Sequence, residues 1–336
     1  MKQFEIREFG IENLTQTEVE TPRPAFGQVL VRMRAASLNY RDYMVVKGIY
    51  NPKMKRPMIP LSDGAGIVEE IGDGVTQFKK GDRAAGCFFQ GWTDGPPSRE
   101  KVKSALGGGI DGVLREFVLF PEEGLVTPPG SLSDEEAATL PCAALVSWHA
   151  LFEDIPAVPG ETVLIQGTGG VSIFALQFAV SAGLRAILTS GNEEKLARAR
   201  QLGASETINY KTTPNWDEIT LKLTGGEGVD RVIEVGGAGT MPRSLRAVRM
   251  KGTVSVIGAL SGGEPSVSPL PILMNSIRVQ GVYVGSRAMF QRMNRAIELH
   301  RMKPVIDKTF DWTEIKQALQ YMETQQHFGK ICLRWS

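Results

Sequence analysis

Two stretches of this chain hold residue types that do chemistry. Residues 141–149 read PCAALVSWH and contain one of three cysteines and one of three histidines. Such a pair invites metal ligation or a Cys/His nucleophile. With Pro141 opening a helix, Cys142 and His149 share nearly one face but stand about 10.5 Å apart along the axis, too far for one ion to bridge. Ala144, Leu145, Trp148, Leu151 and Phe152 recur at helical spacing, which predicts a buried helix carrying a core thiol and a flanking histidine. In the second stretch, an apolar strand from Thr162 to Gln166 runs into GTGGVS and then into the apolar helix IFALQFAVSA. A helix N-terminus offers unpaired N–H groups and a positive dipole, and glycines let a pyrophosphate approach the backbone. Gly167, Thr168, Gly169, Gly170 and Val171 are therefore candidate contacts to a dinucleotide, with Ser172 standing where GxGxxG has its third glycine.

The next strand discriminates between cofactors. An NAD site ends it with Asp or Glu, about 20 residues past the glycines, to hold the ribose 2′-OH. Here that place reads Thr189-Ser190-Gly191-Asn192, small and neutral, with Lys195 one turn on. A 2′-phosphate suits this pattern, Ser190 donating a hydrogen bond and Lys195 a charge. Glu193 and Glu194 follow Asn192, a good N-cap, and answer the helix dipole. NADP is the expected cofactor. Gly236, Gly258 and Ala259, in the glycine turns that end later strands, and Val284 complete the candidate contacts.

These residues need a scaffold of two kinds. Up to about residue 126, short apolar runs are broken by Gly, Pro and Asp, which is the punctuation of β structure. From about 160 the rhythm becomes strand, glycine turn, helix, which implies a parallel sheet covered by helices. A helix is expected over SRAMFQRMNRAIELHR, a loop around MKPVIDK, a helix near WTEIKQALQYMET and a last strand at KICLRW. The long loop QGWTDGPPSREKVKSALGGGIDG carries Trp92, Pro96 and Pro97, and loops of that length are usually functional or mobile.

At 336 residues the chain suits two domains, and 42% hydrophobic with 22% charged residues indicates a globular protein with a sizeable core. A net charge of +1 provides no field for nucleic acid or an anionic membrane, so small molecules are the expected partners. Cys87, Cys142 and Cys332 are few and far apart, with no CxxC pair, which excludes a disulfide framework and a cysteine-rich structural zinc site. No apolar signal core or membrane-length run is visible, and a cytoplasmic location is expected.

Taken in order, KKGDRAAG, LPCAALVSWHAL, VLIQGTGGVSIFALQFA, ARQLGASETINY and GGEGVDRVIEVGG resemble the medium-chain dehydrogenase/reductase superfamily over nearly the whole chain. The resemblance is greatest to its quinone oxidoreductase (zeta-crystallin-like) and enoyl reductase branches. It implies an α/β architecture: a GroES-like catalytic domain over 1–126, completed by 286–336, and a Rossmann doubly wound domain over 127–285. Tyr210 of INY matches a family residue beside the 2′-phosphate. Zinc-dependent members ligate their metal with Cys, His and Cys, and those positions look like Asn39, Ser62 and Cys142, so no catalytic zinc is expected. Asn39 matches a family asparagine near the nicotinamide, and Tyr50 the tyrosine that enoyl reductases use as proton donor, a role suited to a phenol with an ordinary pKa of about 10. Arg41 and Asp42 read as an internal ion pair. Val146 departs from the family's usual Thr.

Without a Lewis acid, oxidation of a simple alcohol has no good means of stabilising the alkoxide. The expected activity is zinc-independent, NADPH-dependent reduction of a quinone or an α,β-unsaturated carbonyl. Two alternatives stand beside it: a zinc-type alcohol dehydrogenase, and a non-enzymatic, crystallin-like NADPH-binding protein. Relatives pair an edge strand across a two-fold axis, and SIRVQGVYVG at 276–285, rich in β-branched residues, is the strand expected to form a homodimer here.

Overall fold

A computed structural model describes residues 1–260 and 267–336. The expected glycine turn that carries Gly258 and Ala259 continues as ALSGG into residues 261–266 and so lies partly outside them. The chain forms two compact units, residues 1–145 with 284–336, and residues 146–283.

The first unit is built on the ten-residue strand Gln28–Ser37, whose inward residues Val29, Val31 and Met33 are fully buried. It pairs antiparallel with Asp63–Ile71, with Phe117–Pro121 and with the C-terminal strand Lys330–Arg334. Register sets Ser37 opposite both Asp63 and Cys332, and Leu38 N–H donates to Ile331 O at 2.9 Å. Residues 292 positions apart in sequence are thereby brought together at Leu38 and Lys330. The helix Tyr40–Val46 follows directly, capped by Asn39, while Phe4, Leu38, Phe120, Trp312 and Ile331 fill the core beneath. The long loop is built rather than loose: Trp92 is fully buried, its indole N–H donates to Gly95 O, and its carbonyl accepts the Arg287 N–H that opens helix Arg287–His300. The MKPVIDK loop is shorter than expected, because Ile306–Asp311 pairs in parallel with Lys330–Arg334.

The second unit holds six parallel strands in the order Glu206–Asn209, Arg185–Ser190, Thr162–Gln166, Val229–Glu234, Val248–Val256, Arg278–Gly281. Chain direction across the sheet reverses beside Thr162–Gln166, and in open α/β sheets ligands bind at the carboxyl ends of the strands at such a switch point. Val163, Leu164, Ile165, Ile187, Val232 and Val254 are buried on both faces, as a sheet covered by helices requires. The edge strand is shorter than 276–285: pairing covers Arg278–Gly281, and only Val282 N–H, bonded to Val256 O at 2.9 Å, extends it.

Candidate functional site

The glycine turn lies at the switch point. Gly167 has φ +75°, a conformation that a side chain strains, and its N–H donates to Thr189 O at 2.8 Å. Gly169 caps helix Gly170–Ser181, whose first backbone bond within this turn runs from Ile173 N–H to Gly169 O. Earlier N–H groups are the unpaired donors of a helix start. Ser172, in place of the third glycine, is accommodated because its hydroxyl turns inward and donates to Gln166 O at 2.6 Å. Thr168 is buried, and Val171 O accepts the Ser147 hydroxyl.

At the next strand end, Ser190 and Tyr210 of the candidate 2′-phosphate residues meet, with Lys195 on the helix that follows. Ser190 ends its strand opposite Asn209, and Tyr210 N–H donates to Ser190 O. The Tyr210 ring lies against Gly191, where an added Cβ would meet it at 2.9 Å. Asn192 caps the next helix by accepting Lys195 N–H, and Asn209 Nδ2 holds the Glu193 carboxylate at 2.5 Å. At the neighbouring strand end, the buried Glu234 carboxylate gathers Gly236 N–H, Gly237 N–H, the Ser244 hydroxyl and Gln166 Nε2. It fixes the Gly236–Gly237 turn, which packs against Gly258 and Ala259. The sequence reading missed Glu234 and Gln166; the signal was a polar residue ending each of two strands just ahead of a glycine turn. Val284 is buried and belongs to the first unit.

In the first unit, Asn39, Ser62, Asp63 and Cys142 meet in one polar cluster with Lys330, a residue that motif reasoning passed over. Lys330 is almost wholly buried, and its ammonium donates to Leu38 O and to Asn39 Oδ1, both at 2.7 Å, with Asp63 Oδ2 at 3.8 Å. Asn39 Nδ2 donates to Ser62 Oγ at 3.3 Å, and Ser62 Oγ donates to Asp63 Oδ1 at 2.7 Å. Asp63 Oδ2 accepts Cys142 N–H at 3.2 Å. Leu61, just before, has φ +71°, an uncommon conformation for a residue with a side chain, and Gly107 and Gly112 pack on its backbone where a Cβ would clash. Burial drives the Asp63 carboxyl above its ordinary pKa, and the Cys142 thiol is pushed strongly up by burial and then by Asp63.

This donor set does not fit zinc. Zinc takes thiolate, imidazole or carboxylate ligands. Here the Asn39 oxygen is bound to an ammonium, Ser62 is engaged with Asp63, Cys142 is the one thiol of the set, and the Lys330 cation opposes a second one. No group of three or more His, Cys, Asp or Glu arranged for a metal occurs among the described residues.

Two local expectations are corrected. Cys142 lies in a π-helical turn, Leu140–Ala144, and the α-helix begins at Leu145, so thiol and imidazole are not on one regular helix. They also fall in different units. His149 is a core residue, with Nδ1 on Tyr283 O at 2.9 Å and Nε2 on Asp154 Oδ2 at 3.0 Å. Arg41 and Asp42 form no ion pair, because helix neighbours do not face each other. Arg41 donates to Leu106 O and lies over the rings of Phe88 and Tyr50. Asp42 Oδ2 accepts Asn39 N–H at 2.8 Å. Tyr50 is half exposed, beyond the C-terminus of the same helix.

Asp42 is fully buried with one carboxylate oxygen unpartnered, and burial raises its pKa from 3.8 to about 6. A raised carboxyl contributes most below its unfolded pKa, and that contribution is lost as pH rises through the folded value. Measured against Asp42→Asn, the wild-type protein is expected to lose on the order of 2 kcal/mol between pH 4 and pH 7. Denaturant melts at both pH values check this; a pH-independent difference overturns it.

Residues 25–130 match the alcohol dehydrogenase GroES-like domain, and residues 170–299 match the zinc-binding dehydrogenase family. A zinc-type alcohol dehydrogenase-like protein of Schizosaccharomyces pombe is 44% identical over 332 residues, covering 97% of this chain and 96% of its own. The quinone oxidoreductase of Rattus norvegicus is 30% identical, over 99% of this chain and 97% of its own. The crystal structure of a putative alcohol dehydrogenase from Sinorhizobium meliloti 1021 superposes with a TM-score of 0.93 at 38% identity, covering 99% of this chain and 98% of that one. With a Rossmann unit whose glycine turn lies at the switch point and a GroES-like unit beside it in sequence, the chain belongs to the medium-chain dehydrogenase/reductase superfamily.

Proposed function

We propose that this oxidoreductase uses NADPH, without zinc, to reduce a quinone or an α,β-unsaturated carbonyl. The observation that carries the reading is the polar cluster of the first unit, where an asparagine, a serine, a single thiol and a lysine ammonium stand at the family's metal-ligand positions or against them. Such a cluster gives no Lewis acid for an alkoxide but does give hydrogen-bond donors for the oxygen of an activated acceptor. NADPH, when bound, supplies the hydride. Gly167, Thr168, Gly169, Gly170 and Val171 hold its pyrophosphate on the helix start, and Ser190, Lys195 and Tyr210 hold its 2′-phosphate. Asn39 contacts the acceptor side, and Tyr50 donates the proton and regains it from water, to which it is open. The quinone oxidoreductase relative supports the reading. The relative named as zinc-type leaves alcohol oxidation as the second reading, against which the donor set stands.

The test follows nicotinamide absorbance with a panel of quinones, enones and aldehydes, and with alcohols plus NADP in the reverse direction, before and after chelation. Chelator-insensitive consumption of NADPH with an enone or quinone is expected. Turnover that requires stoichiometric zinc overturns the metal-free mechanism, and cofactor binding without turnover of any acceptor favours a binding protein.

The same proposal extends to assembly as a homodimer through the open edge at Arg278–Gly281. Val279 and Tyr283 are exposed there, and helix Leu270–Met274 packs Ile272 against the core but leaves Leu273 and Met274 mostly open. Pairing with a second copy satisfies the edge isologously. Val282 N–H already bonds inward, so alternation turns Val279 N–H outward. Light scattering at micromolar concentration is expected to give a dimer mass that Val279→Pro reduces; a monomeric wild type removes the dimer.

A further inference from the structure

We infer that Lys330 is a positioning residue that turns the Asn39 amide so that its N–H group, and not its oxygen, faces the acceptor carbonyl. The inference rests on the proposed reduction for its catalytic consequence, but the geometry that carries it lies wholly within the first unit. A lysine ammonium has donors only, so the Asn39 atom 2.7 Å from Nζ is the oxygen, whichever way the amide would otherwise be turned. The Ser62 hydroxyl gives its proton to the Asp63 carboxylate and therefore accepts from Asn39 Nδ2. Both ends of the amide are thus specified by partners that cannot exchange roles. Of the two Nδ2 protons one is taken by Ser62 at 3.3 Å, and the amide also hydrogen-bonds toward the Asp63 carboxyl, which lowers that group's pKa against the burial that raises it. Asn39 itself is only partly buried, so this N–H group is within reach of a ligand's oxygen, which would share it with Ser62 and Asp63.

The arrangement is held from the backbone up. Lys330 begins the C-terminal strand, where its own N–H donates to Val305 O and the next residue's carbonyl takes Leu38 N–H. Asn39 N–H is held by Asp42 Oδ2, which fixes the backbone from which the amide projects. The Lys330 ammonium polarises the amide it binds, which makes its N–H group a stronger donor to an oxygen gaining negative charge during hydride transfer. Lys330 touches no substrate in this scheme; it acts through Asn39.

The test uses the full-length chain with Lys330→Met, Asn39→Ala and the double variant. Asn39→Ala is expected to lower kcat for an enone or quinone by about 100-fold, the scale of one oxyanion donor. Lys330→Met is expected to lower kcat by roughly 10-fold or more with the KM for NADPH unchanged, and to add less than about 3-fold in the Asn39→Ala background, because the two act as a unit. Additive losses, or a Lys330→Met protein with wild-type kcat, overturn the inference. Independently of turnover, asparagine-selective ¹⁵N labelling identifies the Asn39 side-chain amide by its absence in Asn39→Ala. Its two N–H resonances are expected to move in Lys330→Met while most other asparagine amides stay in place. An unmoved Asn39 amide in a folded variant overturns the contact itself. A wild type that reduces no acceptor overturns the proposed reaction and with it the catalytic part, and the resonance arm still decides whether Lys330 orients the amide.

Discussion

A Gly169→Val protein is expected to fold and to bind NADPH at least ~10-fold more weakly than wild type, the loss of one or two charge-assisted hydrogen bonds of about 1.5–3 kcal/mol each. The two halves of that result have separate causes. Gly169 has φ −76° and ψ −175°, extended backbone that valine adopts readily, and a Cβ built there meets no atom within 4 Å. The fold therefore loses only a few tenths of a kcal/mol to about 1 kcal/mol, the scale of a changed N-cap. That open space lies over the start of helix Gly170–Ser181, where a pyrophosphate must approach the free N–H groups, and the valine methyls take it. Gly167 is the contrasting position, since its φ of +75° makes any substitution a test of the turn rather than of the ligand. Fluorescence titration with NADPH and a thermal melt read the two effects apart. Undiminished affinity in a folded Gly169→Val protein removes the dinucleotide from this turn.

What the sequence made legible follows from which signals are local. The strand–glycine–helix unit at Thr162 to Ser181 is a contiguous pattern, and its elements formed where hydrophobic periodicity put them. The helix from Arg287 likewise follows its Ser286 cap. By contrast, the π-helical turn at Leu140–Ala144 has no signature distinct from an α-helix in composition, so Cys142 and His149 read as one helix. Strand Ile306–Asp311 forms because Lys330–Arg334 is there to pair with it, a partner that periodicity within MKPVIDK cannot reveal. Lys330 was missed for the same reason. Nothing near it in sequence marks it, and its function as a buried cation is created by a pairing across nearly the entire chain, from Leu38 to Ile331. Glu234 is intermediate, visible as an acid at a strand end just ahead of a glycine turn but explained only once Gly236, Gly237, Ser244 and Gln166 surround it.

Lys195→Ala is expected to weaken NADPH binding by about 1.5–3 kcal/mol, the worth of a hydrogen bond to a charged group, while leaving NADH within a factor of about two. Lys195 sits at the third position of helix Glu193–Gln201, where its own N–H is spent on the Asn192 cap and its side chain starts from the turn nearest Ser190. Two features of this corner favour a phosphate over a bare ribose hydroxyl. The strand end carries neutral Ser190 and Gly191 in place of an acid, and the nearest acid, Glu193, is held by Asn209 on the third strand. The Tyr210 ring packed on Gly191 closes the other side and leaves its edge half exposed beside Ser190. If Lys195 supplies the charge that reads the 2′-phosphate, its removal lowers the NADPH to NADH affinity ratio by roughly 10- to 150-fold, and the loss shrinks as salt screens the exposed pair. Dissociation constants for both cofactors at low and at high salt decide it. An equal loss for NADPH and NADH means that Lys195 supports the helix start and not the phosphate, and a wild type that prefers NADH removes NADP as the cofactor altogether.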